Sequence, residues 1–217
     1  MTTIESVTLQ VADITAAKAF YAAAFGPIPH VHLRTSQEPT TGFRGFTLSL
    51  VVSQPSTVNA LVGNALDAGA TQLKPAKRQF WGGYSGVVQA PDGTIWKVAT
   101  SAKKDTGPTT RHIDGIVVLL GVANMSASKQ LYVERGLTVA KSYGSKYVEF
   151  DAPATAIKLA LYKRSGLAKD AGVSPAGTGS HRFAIGSDAG PFTDPDGFTW
   201  ETVPMLDANG TEANPRG

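Results

Sequence analysis

The chain has 217 residues, 42% of them hydrophobic and 17% charged, a profile that excludes extended disorder and fits one or two ordinary globular domains. It contains no cysteine, which removes disulfide scaffolds, cysteine-built zinc sites, iron–sulfur centres and thiolate nucleophiles. Twenty Lys+Arg against seventeen Asp+Glu give a formal charge of +3, scattered apart from "KPAKR" (74–78) and "YKR" (162–164), so no stripe for nucleic acid is expected.

From the N-terminus, "ESVTLQVAD" alternates Val7, Leu9 and Val11 with Ser6, Thr8 and Gln10, the pattern of a half-buried strand. Asp13 follows as a helix N-cap, and Ile14, Ala17, Tyr21 and Ala24 recur at helical spacing until Gly26 and Pro27 stop the run. "FRGFTLSLVV" (43–52) predicts a second strand. "SQPSTVNALVGNALDAG" predicts a second helix, capped by Ser53, with Val58, Leu61, Val62 and Leu66 on one face and Gly69 at its stop. Short strands follow around "TQLKP", "YSGVVQA" and "TIWKVAT", the last two joined by "PDG", where Pro91 presets φ and Gly93 takes the left-handed position.

The polar stretch "SAKKDTGPTTR" (101–111) holds a linker, placed at 105–111 between a domain at 1–104 and another at 112–217. Beyond it come a strand in "IDGIVVLLGVAN", a helix in "MSASKQLYVERG" capped by Asn124, and strands in "SKYVEFD" and "AIKLALYKR". The longest apolar run, "GIVVLLGVA" at 115–123, has about half of the ~20 residues a spanning helix needs, so a buried strand and no membrane segment are expected. The opening "MTTIESVTLQ" carries no basic and apolar leader, which predicts a cytoplasmic protein.

The chain repeats itself. "VADITAAKAFY" (11–21) matches "VANMSASKQLY" (122–132), and "PDGTIW" (91–96) matches "PDGFTW" (195–200). Both stretches belong to a β-α-β-β-β unit, so the predicted fold is α+β, built from repeated βαβββ modules with curved mixed sheets.

These motifs resemble the vicinal oxygen chelate superfamily, the glyoxalase, bleomycin-resistance and extradiol-dioxygenase group. "VTLQVADITAAKAFYAAAFG" resembles its opening strand and helix, "RQFWGGYSGVVQAPDGTIWKV" a closing run, and "FTDPDGFTWE" its terminal hairpin. The resemblance implies modules paired so that their sheets curl into a cup, holding a divalent metal or a bare ligand pocket, and it makes a homodimer plausible. Module starts fall near 4, 43, 113 and 180, with the first and fourth abridged.

By the same resemblance, metal ligands come from the first strand and a late strand of each paired module, as His, Glu or Gln. Counting back from each helix cap points to Ser6, Phe46, Val117 and His181, and the late strands point to Lys97, a position near Ala160, and Glu201. Only His181 and Glu201 are competent ligands, two being fewer than a tight catalytic site wants. The plain structural alternative is a strand-end histidine and a rim carboxylate paired with a nearby base such as Arg182. "HVH" (30–32) could present two imidazoles on one strand face, or simply mark an edge strand. Trp81 and Tyr84 of "FWGGY", with Arg44, form a candidate wall for a small-molecule pocket. Trp96 and Trp200 alternate with Lys97 and Glu201 and are expected to pack between sheet and helix.

Three functions follow from these residues. The leading one is a small-molecule binder without a complete metal site, with either no cofactor or one divalent metal. The second is a metal-dependent lyase, isomerase or dioxygenase using His181 and Glu201, and the third is a scaffold whose cup has closed over.

Overall fold

The computed structural model describes residues 2–80, 82–152 and 157–203. Strand β1 (Ile4–Val11) leads into helix α1 (Ile14–Ala24), where the Asp13 carboxylate accepts from Ala16 N at 2.9 Å and caps the first turn. After the helix come β2 (Val31–Thr35) and the short β3 (Thr40–Gly42).

The next module is complete: β4 (Phe46–Val51), α2 (Pro55–Asp67), β5 (Thr71–Arg78), β6 (Tyr84–Gln89) and β7 (Ile95–Thr100). Helix α2 is capped differently from the expectation at Ser53. Gln54 is the N-cap residue and makes no cap bond, and Asp105 from the expected linker accepts from Ser56 N at 2.7 Å instead. The buried Gln54 amide also bonds the backbone of Thr106, Gly107 and Pro108, so the predicted linker is pinned to the start of α2.

A second complete module follows as β8 (Gly115–Val122), α3 (Met125–Glu134), β9 (Val139–Ser142), β10 (Tyr147–Phe150) and β11 (Lys158–Lys163). Asn124 caps α3 through Ala127 N at 3.1 Å, as the sequence indicates. Helix α4 (Arg164–Ala171) comes next, then β12 (Gly177–Gly179), β13 (Phe183–Ser187), β14 (Phe192–Thr193) and β15 (Thr199–Thr202).

The strands make a large sheet ordered β5-β6-β7-β4-β8-β11-β10-β9, a smaller one ordered β14-β15-β13-β1-β2, and a β12-β3 pair. The large sheet joins the two complete modules through the antiparallel β4–β8 seam, and the smaller joins the abridged first and fourth modules through β1–β13. Each half-chain, 1–104 and 112–217, thus supplies strands to both sheets. No helix of the described residues is long and apolar enough to cross a membrane.

The repeated motifs have a packing reason. Tyr21 of α1 lies edge-on to Trp96 at 5.7 Å between centroids, and its hydroxyl donates to Asp92 Oδ2 at 2.6 Å. Tyr132 of α3 packs on Trp200 at 5.3 Å and donates to Asp194 Oδ2 at 2.5 Å. Each motif pair is therefore a helix tyrosine docked on the hairpin of the following module, and both tryptophans are buried between sheet and helix as expected. The main core forms where α1, α2 and α3 meet the helix-facing sides of the two sheets.

Candidate functional site

The alternation of side chains assigns the other face of each sheet. On the large sheet the register Ser49↔Lys97, Ser49↔Val117 and Lys97↔Val87 places Thr47, Ser49, Val87, Ile95, Lys97, Val117 and Leu119 on the face opposite α2. Ala160 and Tyr162 share that face through Ala160↔Leu119 and Tyr162↔Gly121. Phe46, the position found by counting back from the cap, lies on the helix side and stacks on Phe183 at 4.2 Å. The count is one residue out, and in a strand one residue reverses the face; Thr47 takes the place assigned to Phe46.

Helix α4 sits on this cup face. Leu167, Ala168 and Ala171 are buried with Phe43, Val87 and Ile95 in a second core cluster, against which Leu119 and Tyr162 pack. Gly121 of β8 permits the approach, because a Cβ there would stand 2.9 Å from Gly45 O and 3.1 Å from Arg164 Cα. Lys97 Nζ meets Asp170 of α4 at 2.9 Å, and Arg164 donates to Phe43 O at 2.6 Å. Gly172, at φ 84, closes the helix in the left-handed conformation that glycine adopts without strain.

At one end of the covered cup a pocket of about 280 Å³ remains, walled by Phe43, Arg44, Gln89, Thr94, Ile95, Val173 and Ser174. Of the expected pocket trio, Arg44 lines it. Tyr84 lies on the opposite face, its hydroxyl donating to Asn59 Oδ1 at 2.9 Å on α2, and Trp81 falls outside the described residues. Burial pulls the Arg44 guanidinium down from its ordinary value, with Asp92 opposing that shift and Arg182 adding to it.

On the smaller sheet the face opposite the helices carries Ser6, Thr8, Gln10, His32, Arg34, Ala184, Gly186, Thr199 and Glu201. Glu201 is bound bidentately by Arg34 at 2.7 and 2.8 Å, a bridge that passes over β13 and β1 to reach edge strand β2. This hydrogen bonding holds the Glu201 carboxyl below its usual range. Arg182, the anticipated partner of Glu201, donates instead to Glu38 O.

His181 is wedged elsewhere. Its Nδ1 lies 2.5 Å from Arg44 O and its Nε2 3.0 Å from Asp196 O, and the ring stacks on Phe198 at 4.0 Å. Glu201 is paired opposite Gly186, five residues beyond His181 on the same strand path. His181 precedes β13 and is held by Arg44 O and Asp196 O, whereas Glu201 is held by Arg34, so the two side chains are committed to separate partners. In "HVH", His30 adopts φ 65 ahead of β2, which breaks the alternation that would align it with His32.

A divalent metal does not fit either cup as built. The large sheet offers Thr47, Ser49, Lys97, Val117 and Ala160 at its centre, and the smaller offers Gln10 and His32 on neighbouring strands and, two strands away from Gln10's, one carboxylate already engaged by Arg34. Among the described residues no group of three His, Asp or Glu side chains converges.

The sheet order and repeated units define a tandem βαβββ cup protein, and solved structures agree. A variant of glyoxalase I from Zea mays superposes with a TM-score of 0.61 at 16% identity, covering 94% of this chain and 92% of that one. The unaltered maize glyoxalase I gives 0.60 at 15% identity, covering 92% and 91%. A putative dioxygenase from Bacillus subtilis subsp. subtilis str. 168 gives 0.54 at 13% identity, covering 85% of this chain and 69% of that one. The fold is the one these glyoxalase I structures share. No family model and no curated protein matches the sequence.

Proposed function

We propose that this chain is a glyoxalase-fold protein that binds a small organic molecule in what remains of its eight-stranded cup, and does so without a metal there. The observation that carries the reading is helix α4: it covers the centre of the cup, engages Lys97 through Asp170, and leaves a pocket of about 280 Å³. That volume lies at the lower bound of ligand pockets, which run from about 300 Å³ upward, so a small metabolite suits it better than a drug-sized molecule. Lys97 at the late-strand position and Val117 at the first-strand position supply a cation and a methyl surface where a metal site would need donors.

The test has two parts. Elemental analysis of protein purified without chelator or affinity tag is expected to find no stoichiometric transition metal, and thermal-shift screening of small organic compounds is expected to find binders lost on filling the pocket by Val173→Trp. One bound metal per chain, lost in His181→Ala or Glu201→Ala, would replace this proposal by the metal-dependent enzyme. An absence of binders together with an absence of metal would favour the scaffold, whose motivation is the same filled cup.

A further inference from the structure

The chemistry of the reduced cup narrows its ligand, an inference that rests on the binding reading above. Arg44 stands at the pocket wall with its guanidinium against the backbone of Gly93, so close that a Cβ there would lie 2.7 Å from Nη2. One N–H group donates to Asp92 O, leaving four of the five donors of the guanidinium fork. Among the described residues no carboxylate lies within ion-pair distance of it.

The nearest acid, Asp92, is committed elsewhere: Oδ2 accepts from Tyr21 and Oδ1 from Thr94 N at 2.7 Å. Arg44 is the one charged side chain among the described residues that line the pocket, so the wall is positive. A half-buried cation in partial desolvation costs free energy until an anion completes it. Facing Arg44 are the apolar Phe43, Ile95 and Val173, with Gln89, Thr94 and Ser174 between.

We infer that the ligand is a small amphiphile with a carboxylate group, received by the Arg44 fork, and a ring or short hydrocarbon body lying on Phe43, Ile95 and Val173. A carboxylate matches the planar guanidinium in two parallel hydrogen bonds, which a lysine ammonium cannot reproduce. Selectivity then comes from charge at one end and from the size of the pocket at the other.

Isothermal titration calorimetry of the full chain with benzoate, benzamide and phenyl phosphate tests this. Benzoate is expected to bind at least about tenfold more tightly than its neutral isostere benzamide, as a charge-assisted hydrogen bond implies. Arg44→Gln is expected to lose about 10- to 100-fold in benzoate affinity and several-fold less in benzamide affinity, and Arg44→Lys to fall between the parent and Arg44→Gln for benzoate. The comparison on the unmodified protein keeps the test valid if a variant fails to fold. Equal binding of benzoate and benzamide, or undiminished benzoate binding by Arg44→Gln, overturns the inference and leaves the binding reading intact. Tighter binding of phenyl phosphate than of benzoate overturns the carboxylate assignment in favour of phosphate. Failure of all three compounds to bind overturns this inference, and the wider reading also falls if the compound screen is empty.

Discussion

Leu167→Ala asks whether α4 is a fixed part of the core or a loosely held cover. Leu167 is 1% exposed and its Cδ2 lies 3.4 Å from the site where a Cβ on Gly121 would stand, so the side chain is enclosed by the large sheet. Truncation removes three buried carbons, worth about 2.4 kcal/mol at ~0.8 kcal/mol each. The cavity adds to this, and the total falls in the range of about 2–5 kcal/mol seen for buried leucines. Urea denaturation should show a lower midpoint with an unchanged slope, because the surface exposed on unfolding is nearly the same. A chain of this size should lose about 2–4 °C of melting temperature per kcal/mol. A loss below about 1 kcal/mol would refute the placement of α4 as core, since no well-packed buried leucine is that dispensable.

Two carboxyls are shifted in opposite directions. The Glu201 carboxyl is lowered in the folded state by its Arg34 hydrogen bonds, so its contribution is present above the ordinary value of 4.5 and is lost as pH falls through the folded value. Glu201→Gln should cost no more than about 1 kcal/mol at neutral pH, the pair being partly exposed, and its stability curve should converge with the parent curve in acid. Asp194 is raised, chiefly by burial, so its contribution is fully present below 3.8 and is lost as pH rises through the folded value. Tyr132→Phe deprives that carboxylate of a 2.5 Å bond and should destabilise by about 1–3 kcal/mol, the deficit shrinking on acidification; equal deficits at both ends of a pH series would contradict this.

The fold was legible where residue pattern and packing coincide. "VADITAAKAFY" and "PDGTIW" could be paired with their repeats because a tyrosine and a tryptophan meet at each helix–hairpin junction, while the acid that takes the hydroxyl is Asp92 of the repeat in one and Asp194, just outside it, in the other. Helix α4 was not read. It has only eight residues, Lys163 offers no side-chain cap, and Gly166 interrupts its first turn. Leu167, Ala168 and Ala171 ahead of Gly172, with Lys169 in the last turn, were the signals that could have revealed it. Candidate ligands were harder, because a count from a helix cap fixes a strand residue only to within one. For Phe46 that error exchanged the cup face for the core. Arg44 lines a cavity, and its separation from Tyr84 was not legible, because sequence distance does not tell which face of β6 a tyrosine takes.

The twin hairpins carry opposite charges, Lys97 and Glu201, and both are neutralised internally, by Asp170 and Arg34. Restoring an acid at the first of them separates a lost metal site from a remodelled cup. Lys97→Glu would set a carboxylate against Asp170, exchanging a 2.9 Å attraction for a repulsion at a site where the lysine side chain is 19% exposed. Each term is worth about 1 kcal/mol for a partly screened pair, so a loss of about 2 kcal/mol is expected at neutral pH. Zinc or nickel should not recover it, because the facing positions are Thr47, Ser49, Val117 and Ala160, and two carboxylates fall short of the three protein groups a tight site uses. A rise of several degrees in the melting temperature of Lys97→Glu on adding zinc would show that a metal can be held beneath α4 after all, and that the single exchange of acid for base at residue 97 had removed it.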